Sequence, residues 1–106
     1  MRLRAGEWKH TVTMRSGDLY VGEVLDKEVS IKVHGSPIRV PMAKVVWILF
    51  ANQYGVPRDQ VQLVTGTALS GSVKNKTFQV RLQDDGLVMR LPTKDILTIQ
   101  GMEIGG

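Results

Sequence analysis

"SGDLYVGEV" occupies residues 16–24 and "TGTALSGSV" residues 65–73. The stretches share their glycine spacing, Gly17 and Gly22 against Gly66 and Gly71, and both close on a valine, Val24 and Val73. Outward at the same offset of 49, Val12 meets Val61 and Met14 meets Leu63, while Val29, Ile31 and Val33 meet Phe78, Val80 and Leu82. Beyond that the offset is 51, and Val40, Pro41, Val45 and Ile48 meet Leu91, Pro92, Ile96 and Ile99. The two additional residues fall where "HGSP" (34–37) is matched by the longer "QDDGLV" (83–88). That site is a turn, where a duplication tolerates an insertion.

The apolar period inside each unit is two. Val29, Ile31 and Val33 alternate with Ser30, Lys32 and His34, and Phe78, Val80 and Leu82 alternate with Gln79, Arg81 and Gln83. This is the pattern of half-buried strands. It predicts five short strands per unit: 11–15, 19–25, 28–34, 37–41 and 44–49, then 61–65, 68–74, 77–83, 87–91 and 95–100. "DDG" (84–86) signals a hairpin turn with Gly86 at positive φ. Gly22 and Gly71 fall inside strands, where glycine marks a bulge or the tight bend of a barrel corner. The expected fold is all-β, two tandem small β-barrels: residues 1–50, a linker over 51–60 carrying Gly55 and Pro57, and residues 61–106. Any helix is expected to be a single turn in the linker or at the N-terminus. The pattern does not distinguish separate barrels from barrels that share strands.

Residues 17–31 and 66–80 resemble the first motif of the Sm-like small β-barrel family. That motif has two glycines five residues apart, an acidic residue, and an apolar–Asn–apolar strand. Gly17, Gly22, Asp26 and "VSI" (29–31) match it, as do Gly66, Gly71, Asn75 and "FQV" (78–80). "VPMAKVVWI" and "LPTKDILTI" are similar to the family's closing strand pair. SH3-like barrels fit the same pattern, and the chain is also similar to small-barrel repeat proteins of bacteria. The resemblance implies a ring-forming oligomer and contacts to RNA. The family's RNA-contacting Asn is Ser30 in one unit and Gln79 in the other, and the Arg-Gly of its second motif is absent from both.

The 106 residues are 42% hydrophobic and 23% charged, with a net charge of +4, which leans toward anionic partners. Without cysteine, neither disulfides nor thiolate metal sites are possible. The longest apolar run, "VVWILFA" (45–51), is far shorter than the roughly 20 residues needed to span a bilayer. "MRLRAGEWKH" has no apolar stretch behind its arginines, so the chain is expected in the cytoplasm unless a leader has been removed.

Each unit is shorter than the roughly 40 residues a domain needs without staples, so the units must pack on one another or on other chains. "VVWILF" points to such a contact. Simple alternation turns Val46 and Ile48 inward and leaves Val45, Trp47 and Leu49 on an apolar opposite face, the expected interface. Among the charges, Lys32 and Arg39 are expected opposite one another across one turn, and Arg81 and Arg90 across another. Like charges so placed destabilise a sheet unless an anion joins them. Lys32, Arg39, Arg81 and Arg90, with Ser30 and Gln79, are therefore the candidate nucleic-acid or anion contacts. Arg2, Arg4 and Lys9 read as a solubilising terminus. His10 and His34 lack a second ligand at metal spacing. Asp84-Asp85 reads as a turn, and Asp18 is matched by Thr67, which argues against a shared catalytic acid. "GTALSG" lacks the Gly-Lys-Ser/Thr of a phosphate loop, and "NKT" (75–77) fits a glycosylation sequon.

No nucleophile, base and acid set emerges, so an enzyme is not expected, nor a cofactor or small-molecule substrate. The expected function is a non-catalytic, self-associating binding or assembly module. The alternative is an Sm-like protein that binds RNA or single-stranded DNA, for which six aromatic residues supply few stacking platforms.

Overall fold

The computed structural model describes residues 7–51 and 57–104. It is all-β, a curled antiparallel sheet of ten strands. The first half carries β1 (Glu7–Met14), β2 (Leu19–Val24), β3 (Glu28–Val33), β4 (Ser36–Pro41) and β5 (Val45–Leu49). The second carries β6 (Asp59–Leu63), β7 (Ala68–Val73), β8 (Thr77–Leu82), β9 (Val88–Pro92) and β10 (Ile96–Ile104). Among the described residues, no helix is long and apolar enough to cross a membrane.

The strand order is β4-β3-β7-β6-β5-β10-β1-β2-β8-β9. It reads the same after β1–β5 are exchanged with β6–β10. Neither β2 nor β7 pairs with the next strand of its own half. β2 pairs with β8 and β7 with β3, so each half lends its β3–β4 or β8–β9 hairpin to the other. β5 and β10 meet at the centre, with Ile48 opposite Ile99. The packing that units of this size require is thus supplied within the chain. One core draws on both halves, and Val12, Ile31, Ile48, Val61, Phe78, Val80, Ile96 and Ile99 are at most 1% exposed. Each such side chain contributes about 1.5–3 kcal/mol by leaving water.

The glycines of the quoted stretches have two separate jobs. Gly17 and Gly66 take φ of 98° and 93° in the turns after β1 and β6, a region other residues avoid. Gly22 and Gly71 lie where a strand of the other half crosses. A Cβ on Gly22 would sit 2.0 Å from the Arg81 carbonyl oxygen, and one on Gly71 2.1 Å from that of Lys32. Gly86, with φ of 73°, fills the turn position expected of it.

Three expectations are corrected. The single helical turns lie at Met42–Lys44 and Thr93–Asp95, each behind a proline, Pro41 or Pro92, whose fixed φ suits a helix start. Of the expected linker, Asp59 and Gln60 belong to β6, and residues 52–56 lie outside the described residues, as do Arg2 and Arg4. A β-bulge also reverses the facing of Val45. The β5–β6 register steps from Val45↔Leu63 to Trp47↔Gln62, leaving Val46 as the extra residue. Val45 and Ile48 therefore both point inward, at 2% and 0% exposed. The same step in β1–β10 leaves Leu97 as the extra residue and turns both Ile96 and Ile99 inward.

Candidate binding surfaces

Two polar side chains hold equivalent backbone positions in the two halves. At the end of β2 the N–H of Val24 donates to Nδ1 of His10, 3.1 Å away. At the end of β7 the N–H of Val73 donates to Oδ2 of Asp59 at 2.8 Å, while Asp59 Oδ1 accepts from Ala51 N–H at 2.7 Å. His10 is buried, and desolvation lowers its pKa from 6.5 to about 4. It is held in the structure as an uncharged acceptor. Past each crossing the pattern repeats. Asp26 Oδ1 accepts from Gln79 N–H and Asn75 Oδ1 from Ser30 N–H, both at 2.8 Å. Asp26 and Asn75, one in each half, thus clamp the strand of the opposite half.

The expected pairs of like charge do not form. His34 and Gly35, with φ of 50° and 81°, make a tight two-residue turn. The resulting register sets Ser30, not Lys32, opposite Arg39, and places Pro37 opposite Lys32. In the other hairpin Gln79 faces Arg90 and Val88 faces Arg81. Arg39 instead meets Glu28 at 3.8 Å and Arg81 meets Glu23 at 3.7 Å, all on exposed side chains. The repulsion that called for an anion at these pairs is therefore absent.

One cleft, of about 360 Å³, opens where β3 crosses β7. Lys32, His34, Arg58, Ser70 and Ser72 line it, together with Gly71 and the carboxylate-bearing Asp59. Ser72 lies directly opposite Lys32. The same place in the other half has Glu23 directly opposite Arg81, and Val21 where the cleft has Ser70. Sequence reasoning singled out Lys32 but not Arg58, Ser70 or Ser72. The departure of Ser72 from Glu23 at the 49-residue offset was the available signal.

The outer face of the central strands forms a second surface. Across β7, β6, β5, β10, β1 and β2 one row reads Ser70, Gln60, Leu49, Thr98, Thr13, Leu19. The next row reads Ala68, Gln62, Trp47, Gln100, Thr11, Val21. None of these twelve positions is charged. Trp47 and Leu49 are partly buried at the middle, and Leu19 is 59% exposed at the rim. Val45, expected on this face, belongs to the core instead.

Among the described residues no group of three His, Asp or Glu side chains is placed to hold a metal ion. In comparisons with known proteins, no family model, no curated protein and no solved structure matches the chain.

Proposed function

We propose that the chain is a non-catalytic binding and assembly module that self-associates through the face centred on Trp47 and Leu49. The uncharged character of that face carries the reading. A two-fold contact sets a patch against its own copy, so a patch of one charge repels itself. An uncharged patch with a central tryptophan meets no such penalty and supplies the aromatic anchor on which interfaces depend. The carboxylates of Asp26 and Asp59 accept backbone N–H groups, a structural task rather than a catalytic one. We read the halves as two copies of one small barrel of the Sm-like or SH3-like kind that have exchanged hairpins, in a cytoplasmic protein. Single-stranded nucleic-acid binding stands second, because Arg39 and Arg81 each meet a glutamate rather than a second cation.

The test is sedimentation velocity over a concentration series, for the parent chain and for Trp47→Ser combined with Leu49→Ser. A mass that rises with concentration in the parent and stays at one chain in a folded double variant supports the reading. A parent that remains a single chain throughout ends it.

A further inference from the structure

We propose that the cleft between β3 and β7 is a binding site for the phosphate group of a small phosphate ester. The proposal does not rest on self-association, although Ser70 also ends one row of the face around Trp47. Lys32 and Arg58 supply two cationic groups, and Ser70 and Ser72 supply two hydroxyl donors on the same wall. A tetrahedral anion with several acceptor oxygens matches that mixture of charge and short donors. Among the described residues Asp59 is the one carboxylate in the lining, and both its oxygens are engaged by the N–H groups of Val73 and Ala51. At Gly71 the lining is bare backbone, because a Cβ there would sit 2.1 Å from the Lys32 carbonyl oxygen.

The other half serves as an internal control. It has the same crossing, with Gly22 in place of Gly71 and Arg81 in place of Lys32. There Glu23 occupies the position of Ser72 and meets Arg81 at 3.7 Å, so the cation already has its anion. Among the described residues no carboxylate pairs with Lys32. His34 also lines the cleft. A polymeric anion would need a continuous basic track. Arg39 and Arg81 are each engaged by a glutamate, and the cleft, at about 360 Å³, has room for a phosphate group with a small body attached.

The experiment is an amide-resolved NMR titration of the full chain at constant ionic strength, with inorganic phosphate, then a nucleoside monophosphate, then a single-stranded oligonucleotide. Saturable shifts at Lys32, Arg58, Ser70 and Ser72 with the first two probes, and none around Arg81, are expected. Ser72→Glu, which installs the other half's acid, should weaken binding at least tenfold. Glu23→Ser should create a second set of saturable shifts around Arg81. Both positions face solvent or its edge, so both variants should fold, which the amide spectrum itself reports. Shifts that fail to saturate, or that survive Ser72→Glu unchanged, overturn the site. Response to the oligonucleotide alone, spread over Arg39, Arg81 and Arg90, overturns the small-ester assignment.

Discussion

At the end of β2 a buried histidine takes the N–H of Val24, and at the end of β7 an aspartate takes the N–H of Val73. One residue earlier on the same strands, Glu23 faces Arg81 in one half and Ser72 faces Lys32 in the other. The first difference preserves a job, since either side chain offers an acceptor to a backbone donor that its ladder leaves over. The second changes a surface, because one half neutralises its cation and the other does not. The comparison separates what the interleaved backbone demands from what it leaves free. Where a backbone group must be satisfied, the chemistry varies but the hydrogen bond persists. Where the side chain faces water, the halves diverge without a shared constraint.

The most demanding positions should therefore behave alike in both halves. Gly22→Val and Gly71→Val each drive a side chain into a carbonyl of the crossing strand, at 2.0 and 2.1 Å from the Cβ alone. Backbone cannot yield as a flexible side chain does. Each substitution should cost more than about 3 kcal/mol, or prevent folding, in urea denaturation. If one half tolerated valine while the other unfolded, the equivalence of the two crossings would be broken.

His10 and Asp59 should differ in their response to acid. A protonated Nδ1 cannot accept from Val24, and burial holds the folded pKa of His10 at about 4, against 6.5 when unfolded. Between those values the unfolded chain binds the extra proton and the folded chain does not. The stabilising contribution of neutral His10 is thus complete above pH 6.5. It falls as the pH drops toward 4, by a total on the order of 3 kcal/mol. His10→Asn keeps an acceptor without a titrating ring, and should flatten the stability curve between pH 6.5 and 4. A curve equally steep in the variant would assign the acid sensitivity elsewhere.

Much of this arrangement was legible beforehand, for physical reasons that also set the boundary. Strict alternation in "VSIKV" and "FQVRL" yields β3 and β8, whereas Gly22 and Gly71, expected at bulges or bends, lie where a strand of the other half crosses. Which strand crosses at Gly22 was not legible, because β3 and β8 carry the same apolar pattern and either could lie beside β2. The exchange is decided by three-dimensional closure, not by periodicity. Simple alternation misplaces Val45 because one bulge residue, Val46, shifts the facing within β5 and turns Val45 into the core. The expected basic pairs failed for a similar reason. A two-residue turn at His34–Gly35 moves the register by two, and the opposition of Lys32 and Arg39 is lost. The cleft itself was out of reach, since it assembles Lys32 of β3 and Ser72 of β7 with Arg58, which precedes β6.

The smallest expected effect bears most directly on why the halves differ. Glu23 and Arg81 are 3.7 Å apart and roughly half exposed, 54% and 55% at the side chain. Such a pair is worth about 0.2–1 kcal/mol, since water and salt screen it and two long side chains must be ordered to make it. A double-mutant cycle through Glu23→Ala and Arg81→Ala should return a coupling in that range, fading at high salt. The corresponding cycle through Ser72→Ala and Lys32→Ala should return none. A coupling above about 2 kcal/mol would make the ion pair part of what fixes β8 beside β2, and the asymmetry would then belong to folding. A coupling within the surface range leaves the strand exchange to the core and to the clamps at Asp26 and Asn75. The contrast between glutamate and serine is then free to set what each half recognises.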